Sequence, residues 1–247
     1  MRHLQRSGAE HSAPGREESL HGSDLGHVIY CIGLTGDFRE RPYDAVDAHV
    51  GKLLEVVRHS RLETLLYLSS VRVYLHSEGV AHEDDELRFH PIRPDDLYNI
   101  SKGLGESIVL SLGKRGRVAR LSNVYGTGQT GTFLSTILED ARRGTITLRS
   151  TLQSARDFVS VADVVPLLEQ IALRGKERIY NVASGEPLTN GELLEAVARL
   201  TGCRVNVAPD AATTTLPPID IGRIRTEFGF TPARILDELP SLLGERG

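Results

Sequence analysis

Short apolar runs alternate with longer amphipathic segments along most of this chain, and this alternation restricts the folds open to it. The run HVIYCIG at 27–33 precedes a stretch at 43–60 whose apolar residues recur at helical spacing. ETLLYLSS at 63–70 precedes a second helical stretch at 95–116, with Asp95 as candidate N-cap. The pattern predicts an α/β protein with a mostly parallel sheet and helices on both faces.

The second half of the chain continues the pattern. The predicted strands and helices share the apolar periodicities of the first half. Strands are predicted at 117–124, 145–149, 178–184 and 203–209, and helices at 161–175, at 188–202 with Thr189 or Asn190 as cap, and twice after 219.

Composition excludes several classes of protein. The 247 residues are enough for one large domain or a domain with a small lobe. A formal net charge of −4 gives no electrostatic reason to bind nucleic acid. No apolar run is long enough to cross a membrane, and residues 1–22 lack the apolar core of a signal peptide. The widely separated Cys31 and Cys203 favour reduced thiols and a cytoplasmic protein.

The histidines do not predict a metal site. None of them lies in the H-E-x-x-H arrangement that places two imidazoles on one helix face. His76, His82 and His90 are predicted to be loop residues, and no metal is predicted.

Three residues could carry proton chemistry. Ser70 closes a predicted strand, and Tyr98 and Lys102 are four apart, so they share one face of a helix. A neighbouring ammonium is expected to lower the pKa of the phenol, which could then move a proton to or from an alcohol as a hydride leaves the carbon. The alternative is a half-buried helix tyrosine and a surface lysine, because the Y-x-x-x-K spacing is common by chance.

Several motifs in a fixed order support the first interpretation. They are YLSSVRVY, YNISK, RLSNVYG, RDFVSVADVV, YNVASGEPLTNGELLEAV and FGFTPARILDEL. Together they resemble the extended short-chain dehydrogenase/reductase family, specifically its NAD-dependent sugar-nucleotide epimerase/dehydratase group. The resemblance implies a Rossmann-like doubly wound parallel sheet with a small C-terminal substrate-binding lobe.

The resemblance also implies a domain division, ligands and an assembly. Residues 1–122, with segments near 145–182, would form the dinucleotide-binding core, and 123–247 mainly the substrate lobe. The implied cofactor is NAD or NADP, and the implied substrate is a nucleotide-sugar. Helices at 43–60 and 98–114 match those that pair family dimers, which implies a homodimer.

The family's site residues can be carried over where positions match. The implied catalytic residues are Ser70, Tyr98 and Lys102; the implied cofactor-binding residues are Cys31, Ile32, Gly33, Tyr98 and Lys102; and the implied substrate-binding residues are Ser70, Asn123 and Arg156. A guanidinium suits the diphosphate role of Arg156 because its fork meets phosphate oxygens two at a time.

A glycine motif at 126–131, GTGQTG, looks like a dinucleotide-binding loop. It follows the tyrosine helix, whereas a cofactor loop must open the first βαβ unit. No carboxylate stands about twenty residues further on to hold the ribose hydroxyls. We therefore predict that Gly126, Gly128 and Gly131 are turn glycines beside the substrate.

The family normally opens with a strand, G-x-x-G-x-x-G and a helix. Residues 1–16 of this chain instead resemble the end of that first helix and the second strand. About thirty residues of the usual domain are therefore expected to be absent. Three explanations stay open: a miscalled start, a truncated remnant, or a working protein without a standard cofactor site. Without that central strand, its neighbours would expose unpaired edges.

Two departures from the family bear on activity. Val71 and Arg72 stand where dehydratases carry Asp-Glu, which predicts against a 4,6-dehydratase. His49 stands where the family usually has Asn, and is interpreted as a helix histidine facing the cleft wall. The sequence thus predicts an NAD(P)-dependent sugar-nucleotide epimerase or reductase. The alternatives are a non-catalytic relic or binding module, and a reductase of a small non-nucleotide carbonyl compound.

Overall fold

The computed structural model describes residues 2–8, 10–15, 18–34, 36–93 and 95–244. The α-helices, in chain order, are α1 Arg2–Ser7, α2 Pro42–Val46, α3 Lys52–His59, α4 Asp96–Leu110, α5 Phe133–Arg142, α6 Val161–Arg174, α7 Asn190–Thr201, α8 Gly222–Phe228 and α9 Ile235–Gly244. The strands are β1 His27–Tyr30, β2 Thr64–Ser70, β3 Gly116–Leu121, β4 Asn123–Tyr125, β5 Thr145–Ser150, β6 Ala155–Arg156, β7 Phe158–Ser160, β8 Ile179–Val182, β9 Leu188–Thr189 and β10 Arg204–Ala212.

The main sheet has the order β1-β2-β3-β8, and all of its neighbouring strands are parallel. Alternate residues of β2 face opposite sides of this sheet. Leu65 and Tyr67 pack in one apolar cluster with α3 and α4, while Leu66 packs in another with α6. The sheet is therefore covered by helices on both faces, which confirms the predicted α/β class.

The helical stretch between β1 and β2 is interrupted. A π-helical turn, Asp47–Gly51, joins α2 to α3. Such a turn inserts one residue into the helical ladder and is frequent at functional sites. The turn places His49 inside the protein, where it is fully buried.

Helix α4 differs from its prediction at both ends. Asp95 occupies the N-cap position, but its side chain makes no capping hydrogen bond, because both carboxylate oxygens accept from Arg39. The helix ends at Leu110 rather than near 116, shortly before Gly113 adopts a left-handed φ of 64°. A residue with a side chain is disfavoured in that conformation.

The second half of the chain forms smaller sheets. The predicted strand 117–124 is two strands, because β3 pairs in the main sheet while β4 pairs with β7. Strands β5 and β10 form a further parallel pair, and β6 and β9 an antiparallel one. Thr189, one of the two predicted caps, is the N-cap of α7, and it forms a reciprocal capping box with Glu192. The domain division at residues 122 and 123 stays a prediction.

The opening of the chain contains the expected helix, α1, but not the expected second strand. Residues 10–15 and 18–23 include no strand, and Asp24 forms only an isolated bridge with Arg61. Among the described residues, no helix combines the length and apolar character needed to cross a membrane.

Candidate active site

Ser70 and Tyr98 meet at the carboxyl edge of the main sheet, where open parallel sheets bind ligands. Ser70 is the last residue of β2, and Tyr98 lies in the first turn of α4, which packs on β2 and β3. The Ser70 hydroxyl lies close enough to the Tyr98 phenol to lower its pKa. Tyr98 is 9% exposed, so its hydroxyl sits at the edge of the buried region rather than on an open surface.

Lys102 lies one helical turn after Tyr98 and is only 4% exposed. Its Nζ donates a hydrogen bond of 2.9 Å to the carbonyl oxygen of Leu68 on β2. Burial lowers the pKa of Lys102 to about 8, although the charge of Glu106 acts in the opposite direction. The alternative of a surface lysine is therefore wrong, and the predicted triad residues are brought together.

The electrostatics of Tyr98 differ from the sequence expectation. Burial raises the pKa of the phenol, while the positive charge of Arg72 and the neighbouring Ser70 hydroxyl partly offset that rise. The expectation of a lowered phenol pKa is therefore wrong. The cation that opposes the effect of burial is Arg72, whose guanidinium lies 5.9 Å from the centre of the Tyr98 ring.

The segment after β1 forms one wall of the site. A methyl group added at Gly33 would lie 3.5 Å from Lys102 Nζ and 3.4 Å from His49 Nε2. Cys31 is exposed and Ile32 is 48% exposed, so the Gly33 backbone is the part of this segment shown beside the buried lysine.

His49 is a site residue whose role the sequence did not reveal. Its Nδ1 shares a hydrogen bond of 2.9 Å with Ser101 Oγ, and that hydroxyl donates to the Tyr98 carbonyl oxygen. Nδ1 is then the donor, which leaves Nε2 as a buried acceptor with no partner among the described residues. Burial, followed by the charge of Lys102, lowers the pKa of His49 to about 3, so the ring is neutral. The signal available in the sequence was that His49 stands at a position where the family usually has Asn.

Asn123 and Arg156 lie together but have protein partners. Asn123 Nδ2 donates 2.8 Å to the carbonyl oxygen of Asp157, the residue next to Arg156. Arg156 donates 2.8 Å to Asn190 Oδ1, and its guanidinium lies 3.9 Å from the centre of the Phe133 ring. Burial and the charge of Arg72 both lower the pKa of Arg156, which connects this pair electrostatically to the Tyr98 end of the site.

A buried ion pair fixes α4 against the sheet. Arg120 on β3 and Glu106 on α4 are 2% and 3% exposed and form an ion pair of 2.7 Å. Glu106 also accepts 2.5 Å from Ser69, the neighbour of Ser70. Since Glu106 lies one turn beyond Lys102, these contacts position the helix that carries both Lys102 and Tyr98.

The glycine motif at 126–131 lies outside the main sheet. It follows β4 and precedes α5, and Gly128 and Gly131 have left-handed φ angles of 74° and 70°. A methyl group at Gly36 would lie 2.7 Å from the Gly131 carbonyl oxygen. The turn conformation is thus confirmed, while its place beside a substrate stays a prediction.

The histidines 76, 82 and 90 all lie outside helices and strands, as predicted. His76 Nε2 contacts Asp96 Oδ2 at 2.8 Å, so it supports the start of α4. In the described part of the chain, no three His, Cys, Asp or Glu side chains form a group able to hold a metal ion.

The chain belongs to the NAD dependent epimerase/dehydratase family, whose sequence profile matches residues 16–183. It is 31% identical over 194 residues to a dTDP-glucose 4,6-dehydratase of Streptomyces griseus, covering 73% of this chain and 57% of that protein. It is 30% identical over 193 residues to a dTDP-4-dehydro-6-deoxyglucose reductase of Escherichia coli, covering 71% of this chain and 58% of that protein. The chain therefore spans somewhat more than half the length of these relatives.

Solved structures share the fold. MoeE5 in complex with UDP-glucose and NAD is similar with a TM-score of 0.77 and 22% identity, over 98% of this chain and 92% of that chain. RMD from Pseudomonas aeruginosa complexed with NADPH is similar with a TM-score of 0.74 and 24% identity, over 98% of this chain and 93% of that chain. These likenesses confirm the Rossmann-like architecture.

Proposed function

We propose that the chain is an NAD(P)-dependent sugar-nucleotide epimerase or reductase. The observation that carries the proposal is the place of Ser70 at the end of β2 beside Tyr98, with Lys102 buried one turn further along α4. Membership of the epimerase/dehydratase family and the names of its relatives support the substrate class.

The residues allow a specific division of labour. Tyr98 is protonated near neutral pH, because burial raises its pKa, so it can donate a proton to a carbonyl oxygen that is being reduced. Ser70, whose hydroxyl lowers the pKa of the phenol, would hydrogen-bond the same reacting oxygen. Arg72 stabilises the phenolate that forms, since its charge favours the deprotonated phenol. In the reverse direction the phenolate would take the proton of a sugar hydroxyl.

The residues fit the nicotinamide end of the cofactor. The Lys102 ammonium, the Tyr98 phenol and the unpartnered acceptor His49 Nε2 offer polar groups of the kind that hold a ribose diol. Because Gly33 has no side chain, its backbone lies close to Lys102 and His49. Cys31 and Ile32 would complete the same wall of the site. A bound nicotinamide would supply hydride acceptance or donation at this site. Relatives of known structure were solved with NAD or NADPH.

Asn123 and Arg156 would hold the substrate diphosphate. Arg156 presents a guanidinium whose pKa is already lowered by burial and by Arg72, so a nearby anion would relieve an unfavourable electrostatic environment. Val71 is a buried apolar residue and Arg72 a cation, so these positions lack the acid/base pair that sugar dehydration requires. This supports an epimerase or reductase over a dehydratase.

Exchanging Tyr98 for Phe tests the function. The variant should lose at least about 100-fold in turnover of UDP- and dTDP-sugars, because general acid–base catalysis contributes factors of this size. Leu200→Ala is the control, since that side chain is 47% exposed on α7, outside the helices of the proposed dimer interface, and it should keep full activity. Equal activity of both variants would contradict the proposal. A folded protein that shows no NAD or NADP binding by calorimetry would favour the binding-module alternative.

We also propose a homodimer located in the cytoplasm. The helical stretch containing α2 and α3, together with α4, corresponds to the helices expected at the dimer interface. The free thiols of Cys31 and Cys203 support a reducing compartment. Sedimentation of the purified chain would test the dimer.

A further inference from the structure

Arginine side chains surround the reacting end of the candidate site. The guanidinium of Arg72 lies 5.2 Å from the centre of the Phe38 ring and 5.9 Å from that of Tyr98. Arg39 lies 4.7 Å from the same Phe38 ring. The charges of Arg39 and Arg72 therefore lie close together beside the tyrosine.

Only one carboxylate is shown paired with both of these cations, and it is already engaged. Asp95 receives two hydrogen bonds from Arg39, at 2.8 and 2.7 Å, one on each oxygen. Arg72 comes no closer to Asp95 than 3.9 Å. The Nε atom of Arg72 is buried and has no hydrogen-bond partner among the described residues. Burying a charged donor without a partner is costly, so the Arg72 guanidinium is incompletely satisfied by the protein.

The backbone fixes Arg72 near the chemistry. Ser70 caps the short 3₁₀ turn Val71–Tyr74, with its hydroxyl accepting 3.2 Å from the Arg72 N–H. Arg72 therefore sits two residues from Ser70, whose hydroxyl lowers the pKa of the Tyr98 phenol. The side chain is only 22% exposed, which restricts it to this end of the site.

We propose that Arg72 binds a carboxylate on the sugar ring of the substrate, so that this chain acts on nucleotide-linked uronic acids. The inference rests on the proposed function and names the substrate class of the same site. A guanidinium fork meets both oxygens of a carboxylate, and the Arg72 side chain keeps 22% of its surface exposed for such a contact. A neutral hydroxymethyl group at this place would leave the cation with only the carboxylates of Asp95 and Asp96, the nearer of them already bonded to Arg39.

The substrate diphosphate is a less suitable partner for Arg72. Arg156 and Asn123, on β6 and β4, are already assigned to it, whereas Arg72 packs on the ring of the reacting tyrosine. A carboxylate beside Arg72 would also reduce the repulsion between Arg72 and Arg156, since each guanidinium disfavours the charge of the other.

Calorimetric titration with UDP, UDP-glucose and UDP-glucuronic acid, each with saturating NAD, tests the inference. The wild-type chain should bind UDP-glucuronic acid at least about tenfold more tightly than UDP-glucose. Arg72→Gln should bring the two affinities within about twofold and leave the affinity for UDP unchanged. Arg72→Lys should keep part of the preference, because the charge remains while the fork is lost. Arg143→Gln, on an arginine that is 72% exposed, is the matched control.

The other outcomes are distinguishable. Equal wild-type affinity for the two sugars would overturn the inference and leave the proposed function standing. If Arg72→Gln also weakened the binding of UDP, Arg72 would be assigned to the diphosphate. That result would overturn the carboxylate inference as well. Failure of all three nucleotides to bind the folded chain would overturn the proposed function, and the inference with it.

Discussion

Lys102 Nζ is hydrogen-bonded to the carbonyl oxygen of Leu68 at 2.9 Å, which joins the middle of α4 to strand β2. The ammonium is held by the backbone two residues before Ser70, so the lysine and the serine are positioned by the same strand. The contact satisfies one of the three donors of a side chain that is only 4% exposed. The remaining donors are available to a ligand beside Gly33.

The charge of Lys102 should be lost at moderately alkaline pH. Its pKa is lowered to about 8 from an ordinary value of 10.5. Between these values the unfolded chain holds a proton that the folded chain has released, so this group makes the unfolding free energy rise with pH. From about pH 7.5 to 9.5, wild type should gain about 2 kcal/mol relative to Lys102→Met, measured by urea unfolding. A difference that does not change with pH would show that the lysine titrates normally.

His49 should oppose folding in mild acid. Its pKa is lowered to about 3 from 6.5, so between these values the unfolded chain takes up a proton that the folded chain refuses. The contribution to stability therefore falls as pH decreases through 6.5. From about pH 7.5 to 5, wild type should lose about 2 kcal/mol relative to His49→Leu. Comparison of the two proteins cancels the other titrating groups, and a constant difference would refute the assignment.

Replacing only one partner of the buried ion pair between Glu106 and Arg120 should destabilise the protein. Glu106→Gln leaves a buried guanidinium without its counter-charge, and should lower the unfolding free energy by about 3–5 kcal/mol. The double variant Glu106→Leu, Arg120→Met should lose less than the sum of the single changes. Glu139→Gln is the control, because its pair with Arg143 is exposed and should contribute less than about 1 kcal/mol. Additive effects would mean that the two side chains are independent.

Gly105 should be required for the packing of α4. A methyl group there would lie 2.4 Å from Tyr67 Oη and 2.9 Å from the His49 carbonyl oxygen. Gly105→Ala should therefore lower the unfolding free energy by about 1–3 kcal/mol, despite the better helix propensity of Ala. Gly15→Ala has no atom within 4 Å of the added methyl and should be close to neutral. Equal effects of the two changes in thermal unfolding would contradict the packing argument.

Local periodicity located the triad residues on a helix face and a strand end, and the ordered motifs that resemble the family implied their catalytic roles. Tyr98 and Lys102 are four apart, and Ser70 ends a strand whose neighbours are apolar, so both features could be read from short windows of sequence. The fold class followed from the same periodicities. The N-cap of α7 was predictable because Thr189 and Asn190, both good cap residues, directly precede an apolar helical pattern.

Long-range contacts account for what the sequence did not reveal. Asp95 is a good N-cap by residue type, but its carboxylate is bonded by Arg39, which lies 56 positions earlier in the sequence. The cation that acts on Tyr98 is Arg72 rather than the neighbour on its own helix, because the 3₁₀ turn after β2 directs that side chain over the ring. The expected second strand depends on pairing partners that local propensity does not specify.

The ion pair between Arg120 and Glu106 also constrains how this chain can diverge. Its partners lie on different elements, and losing either one leaves the other as a buried, uncompensated charge. Single substitutions at either position should therefore be rare among related sequences, whereas simultaneous replacement by apolar residues should be tolerated. The two positions should change together over evolution, as one inherited unit that keeps the tyrosine helix in place.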